Sequence, residues 1–217
     1  MSRRRLTGPR VAVVLALLLL AAAAVVGWLN VRGEDPLAGD AAAFVATPEQ
    51  VARGAYLARA GDCAACHTDR GGAAFAGGKA IATPFGTLFA SNLTPDARTG
   101  IGAWSAAQFW RAMHNGRSAD GRLLYPAFPY PNFTEITRAD ADALFAFLRS
   151  QLPVTQANRP HALRFPYDLQ VSLAVWRALF FSPGVYEPVV ERSVQWPSER
   201  TRYAPRFHCT ERSTTGS

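Results

Sequence analysis

The chain has 217 residues, nearly half of them hydrophobic, and a formal net charge of +7. That length and apolar content suffice for one good core with appendages. The charge sits at the two ends, +5 on residues 1–32 and +2 on residues 191–217, which leaves residues 33–190 neutral and excludes a nucleic-acid surface, because phosphate neutralisation needs clustered cations on the folded domain itself.

Residues 11–31 contain no charged side chain, a run long enough to cross a bilayer as a helix. Arg3, Arg4, Arg5 and Arg10 precede it, so the positive-inside rule keeps that end in the cytoplasm and sends the rest across. A cleaved signal peptide is the rival reading, since residues 21–24 are all alanine and suit a peptidase. Retention as an anchor is the reading taken, because the apolar run continues through Val25, Val26, Trp28 and Leu29, and Trp28 suits the interfacial belt. Either outcome exports the chain beyond Arg32. Residues 33–46, with Gly33, Pro36, Gly39 and scattered acids, read as a short tether.

A helix is predicted from Thr47, where Gln50 completes a capping box, Pro48 suits the first helical position, and Val51, Ala55, Tyr56 and Leu57 recur at helical spacing. It runs into Cys63-Ala64-Ala65-Cys66-His67, the C-x-x-C-H signature of covalent haem attachment. Each thiol can form a thioether with a porphyrin vinyl group, and His67 presents an imidazole nitrogen to the iron as proximal ligand. A lone C-x-x-C also fits half a zinc site or a redox dithiol. The first needs four Cys or His ligands and the second a surrounding βαβ pattern, whereas the other cysteine, Cys209, is distant in sequence.

A Gly-rich loop at residues 71–78 and a segment at 83–96 come next, then a helix predicted over residues 105–114. Thr137 caps a further helix, with Asp140 in its first turn, which stops near Pro153. Its Leu144, Phe145, Phe147 and Leu148 read as core residues that cross the first helix. This order suits a haem held among three short helices. Residues 168–181 form another candidate helix, whose Val171, Leu173, Val175, Trp176, Leu179 and Phe180 are too apolar for water, so it is expected to pack on the haem domain or on a partner subunit.

The run Arg53-Gly54-Ala55-Tyr56-Leu57, residues 84–96, the sequence Gly100-Ile101-Gly102-Ala103-Trp104-Ser105, the triplet Asp120-Gly121-Arg122 and residues 125–131 together resemble the first haem domain of a known family. That family comprises the cytochrome c subunits of membrane-bound periplasmic dehydrogenases acting on alcohols, aldehydes and gluconate. The resemblance covers residues 48–188. It implies a mostly α-helical, class I cytochrome c-like domain with one covalent haem c, a periplasmic dehydrogenase catalytic subunit as electron donor, and quinone or an oxidase as acceptor. It implies no substrate chemistry in this chain.

Two departures from the family stand out. Where its pattern places the distal methionine ligand, in the segment 125–131, this chain has Phe128. Apart from Met1, the one methionine is Met113, which is the candidate distal ligand; His114 and an open sixth site are the alternatives, and core filling is the ordinary role of a methionine. His161 and His208 read as loop and tail histidines. The second departure is the C-terminus, where Arg200-Thr201-Arg202-Tyr203 and His208-Cys209 echo the start of a second haem domain, but Arg212 stands where its second cysteine belongs. Chance similarity in a disordered tail explains that echo equally well.

The resulting organisation is a basic end with anchor or signal at 1–32, a tether at 33–46, a haem domain at 47–152, an apolar extension at 153–190 and a tail at 191–217. The function expected is an electron carrier anchored in the bacterial inner membrane with its haem domain in the periplasm, passing electrons from a dehydrogenase catalytic subunit towards the respiratory chain. A haem-based sensor or small-ligand binder with an open iron site is the alternative, and a truncated gene product is a third.

Overall fold

The computed structural model describes residues 8–34, 37 and 44–184. Its elements, in order, are α1 (Gly8–Val31), α2 (Pro48–Ala60), α3 (Cys63–His67), β1 (Ala80–Thr83), β2 (Gly86–Phe89), α4 (Ala106–Asn115), α5 (Tyr130–Phe133), α6 (Arg138–Arg149), β3 (Ala162–Leu163) and α7 (Gln170–Phe180). The tail residues singled out in the sequence, His208, Cys209 and Arg212, lie outside the described residues, as do Arg3, Arg4 and Arg5.

Local chemistry starts the main helices where the sequence predicts. The Thr47 hydroxyl accepts the Gln50 N–H at 3.2 Å while the Gln50 side chain accepts the Thr47 N–H at 3.0 Å, which satisfies two donors that a helix start leaves open. Ser105 and Gln108 repeat this reciprocal pairing for α4, at 3.2 and 2.9 Å. Thr137 caps α6 by accepting the Asp140 N–H at 3.1 Å.

Helices α2 and α6 pack at backbone distance. A Cβ at position 54 would stand 1.9 Å from the Ala143 carbonyl oxygen, so only glycine permits this approach. Beside it, Arg53 donates from Nε and Nη2 to the Asp140 carboxylate at 2.9 and 3.3 Å, which fixes the crossing from the solvent side. Helix α4 ends at Gly116, whose φ of +61° and lack of a side chain let the fully buried Tyr130 ring press against it. The core between these helices holds Phe75, Ile101, Phe109, Met113, Leu144, Phe145 and Leu148. Phe44 meets Phe145 edge-on at 5.1 Å, so the chain is already packed three residues before the α2 cap.

The fold is helical in the main, as expected, with an additional small sheet. Strands β1, β2 and β3 form one antiparallel sheet in that order, with Ala80 opposite Phe89 and Gly86 opposite Leu163. The segment around residues 83–96 thus begins as a hairpin. The loop after it is held by a buried polar knot: the Asn92 side-chain oxygen accepts the Thr94 N–H and hydroxyl at 2.9 and 2.7 Å, and its Nδ2 donates to Thr99 Oγ1 at 3.1 Å and to the Val154 carbonyl at 2.8 Å.

Helix α1 is long and apolar enough to cross a membrane, a property shared with signal sequences. Its last turn meets α7, where the sequence led us to expect packing on the haem domain or on another subunit. Asn30 Nδ2 donates to the Ala174 carbonyl at 2.8 Å, and Arg177 Nε donates to Asn30 Oδ1 at 3.0 Å. Glu34 accepts from Arg117 Nε at 2.8 Å, and Asn115 Nδ2 donates to the Gly33 carbonyl at 3.2 Å, so the first residues of the expected tether are bound to the folded domain.

Candidate haem-attachment site

Helix α3 is one turn of C-A-A-C-H that begins after Gly61 and Asp62 at the end of α2. Cys63 is half-buried and Cys66 exposed, and neither thiol is in a disulfide. Burial pushes the Cys63 thiol up, the opposite of the depressed value that activates a redox dithiol. Cys63 also lies against the apolar core cluster, as do Phe128 and Phe133.

His67 is oriented by the main chain. Its Nδ1–H donates to the Ser91 carbonyl at 2.8 Å, which fixes the tautomer and leaves Nε2 with the lone pair that a metal needs. Burial holds the imidazole below the ordinary histidine value, hence neutral, with the Ser91 bond acting in the opposite sense. The carbonyl itself is positioned by its neighbour Asn92, whose N–H donates to Asn158 Oδ1 at 2.7 Å. A second tie runs from Gly77 N–H to the His67 carbonyl at 2.8 Å. Two free thiols, one turn of helix and an imidazole with Nε2 available match the donor set of haem c, so the residues present fit that group.

Met113 lies in α4 with 6% exposure, inside the cluster that Cys63 and Phe128 touch. Phe128 stacks on Phe133 at 5.9 Å and leans on Tyr130 at 6.3 Å, an aromatic patch with no donor atom from position 128. His114 is engaged elsewhere: Nε2 donates to the Gly184 carbonyl at 2.8 Å, Nδ1 lies 3.1 Å from Asn115 Oδ1, and the ring stacks on Trp110 at 4.6 Å. His161 accepts the Phe89 N–H at Nδ1, which ties a loop to β2.

Sequence reasoning did not find Ser91, because a main-chain carbonyl carries no residue signature. It also passed over the buried Asn30 and Arg177 and the half-buried Glu34 and Arg117 beside them. The available signal was Asn30 near the end of the uncharged run 11–31 and Arg177 as the one charged residue in α7.

The cytochrome c family model matches residues 51–151. The chain is 51% identical over 158 residues to a nicotinate dehydrogenase subunit of Pseudomonas putida, covering 73% of this chain and 13% of that protein. It is 45% identical over 150 residues to the gluconate 2-dehydrogenase cytochrome c subunit of Pantoea cypripedii, covering 65% and 34%. A diheme cytochrome c-type protein of Cereibacter sphaeroides is 34% identical over 204 residues, covering 91% of this chain and 66% of that one. The chain thus spans about a third or less of the length of the two dehydrogenase subunits. Residues 51–151 carry a cytochrome c domain, and the chain is similar to proteins named as the cytochrome c subunits of gluconate, alcohol and fructose dehydrogenases.

Proposed function

We propose that this chain is a single-haem c-type cytochrome of the bacterial inner membrane, held there by α1 with its haem domain, residues 47–152, in the periplasm. It takes electrons from a dehydrogenase catalytic subunit and passes them to quinone or an oxidase of the respiratory chain. The observation that carries the reading is the intact C-x-x-C-H turn with His67 fixed by the Ser91 carbonyl.

Cys63 and Cys66 would hold the haem covalently, and His67 Nε2 would ligate its iron. The bound haem supplies a one-electron iron couple. The protein's part is to keep the imidazole neutral and correctly turned, to surround the site with Phe109, Phe128 and Phe133, and to provide the sixth ligand. Met113 is the donor proposed for that place, supported by its burial in the cluster that Cys63 touches and by the engagement of both His114 nitrogens. The relatives' names support a dehydrogenase subunit as donor.

Phe128 favours a second reading, a haem sensor or small-ligand binder whose sixth site stays open, because distal access decides between ligand binding and electron transfer.

Mass spectrometry of the purified chain, with haem staining after denaturation, tests the assignment. One covalent haem is expected, lost in the Cys63→Ser, Cys66→Ser double variant. Two haems, or staining of that variant, would overturn it.

A further inference from the structure

Helix α7 has two unlike faces. Its one charged side chain, Arg177, is turned inward at 2% exposure, where it donates to Asn30 Oδ1 and to the Asn115 carbonyl and places Nη2 3.9 Å from the Glu34 carboxylate. The opposite face carries Val171, Val175 and Leu179 at four-residue spacing, with Phe180 beside them, at 64%, 42%, 69% and 70% exposure. No charge interrupts that stripe.

This stripe is tied to the end of α1. Among the described residues, each hydrogen bond between α1 or Arg32 and the α7 segment falls on Asn30 or Arg32: Asn30 binds Ala174 and Arg177, and Arg32 Nη2 donates to Ser182 Oγ at 3.0 Å and to the Phe181 carbonyl at 3.4 Å. Along α1, helix α7 is therefore bonded only at the last turn, while Arg177 to the Asn115 carbonyl and Gln170 to Leu123 tie it to the haem domain. The exposed apolar surface of α1, including Val25 at 54% and Trp28 at 63%, begins within one or two turns of those contacts. An apolar stripe fastened where a membrane helix leaves its bilayer is at the depth where amphipathic helices settle.

We infer that α7 is an interfacial helix, with Val171, Val175, Leu179 and Phe180 sunk into the lipid surface beside the exit of α1. The partner is the bilayer itself. This rests on the reading of α1 as a retained anchor. Both sides of α7 then have a use: Arg177 locks it to the haem domain, and the opposite face seats it in lipid.

The test uses the full-length holoprotein with Cys209→Ser, reconstituted in phosphatidylcholine–phosphatidylglycerol vesicles, with a nitroxide placed in turn at Leu179→Cys, Val175→Cys, Leu18→Cys and Glu49→Cys. Collision rates with oxygen, which concentrates among acyl chains, are compared with those of a water-soluble nickel chelate. Positions 175 and 179 should behave like position 18, with an oxygen-to-nickel ratio several-fold above that of position 49. A water-like ratio at 175 and 179 with a lipid-like one at 18 overturns the inference while leaving the anchor standing. Shielding of 175 and 179 from both reagents overturns it too, in favour of a second copy or a protein partner. A water-like or missing signal at position 18 removes the anchor, and the inference with it.

Discussion

The Nδ1 nitrogen of His67 lies 2.8 Å from the main-chain carbonyl of Ser91, twenty-four residues further along the chain. The next residue, Asn92, is only 2% exposed and joins the loop to residues 94, 99, 154 and 158. Asn92 is thus a positioning residue for a histidine that it does not touch. Asn92→Ala should cost about 2–3 kcal/mol, because it leaves buried donors and acceptors unpaired. A merely structural loss would stop there. Loosening the Nδ1–H···O bond also lowers the basicity of the ligand, so the reduction midpoint of the folded variant should rise. A potentiometric titration beside a thermal melt separates the two effects, and an unchanged midpoint would remove the orienting role.

Asp96 gives the domain an acid limit. Hydrogen bonds from the Thr99 hydroxyl, the Thr155 hydroxyl and the Thr99 and Arg98 N–H groups lower its pKa from 3.8 to about 2. A carboxylate depressed in the folded state adds stability that is complete above its unfolded value and is lost as the pH falls through the folded one. Stability linked to Asp96 should therefore decline as the pH drops from 3.8 towards 2. In Asp96→Asn that part of the pH–stability curve should flatten, with a lower melting temperature at neutral pH. Melts across the acid range check both.

If Met113 is the sixth ligand, the ferric protein should show the weak far-red band that marks thioether-to-iron ligation. Met113→Ala should lose the band and lower the midpoint, since a thioether favours the reduced state. A native spectrum without it, together with ready carbon monoxide binding in the ferrous form, would return Met113 to core packing and advance the sensor reading.

Gly54→Ala places a methyl group within 1.9 Å of the Ala143 carbonyl oxygen. Neither helix backbone can yield cheaply there, so a loss of about 1–3 kcal/mol is expected from overpacking. Denaturant titration measures it. Arg53→Ala, which removes an exposed ion pair across the same crossing, should cost under about 1 kcal/mol.

What could be read from the sequence was local. Thr47 with Gln50, Thr137 with Asp140, and the Cys63-to-His67 spacing each place their partners within four residues, so side-chain type alone reveals the geometry. The hairpin of β1 and β2 escaped because its turn, Pro84-Phe85, lacks the usual Asn-Gly signal and the strands are four residues each. The meeting of Asn30 with Arg177 spans 147 residues, and nothing in either neighbourhood names the other. The orienting partner of His67 was invisible for a different reason, since any residue at position 91 would offer the same carbonyl.

The joint at Asn30, Glu34, Arg117 and Arg177 makes α1 a lever and not a leash. A flexible linker lets a domain sample a volume that grows with linker length, but here the connection is closed by residues on both sides of that linker. Lengthening the chain between Leu37 and Phe44 would leave the domain where it is, because its bearing on α1 runs through Arg117 and Arg177. If α1 is retained in the bilayer, electron exchange would depend on partners arriving at one face of the domain, and encounters would follow their arrangement in the plane of the membrane rather than the reach of a tether.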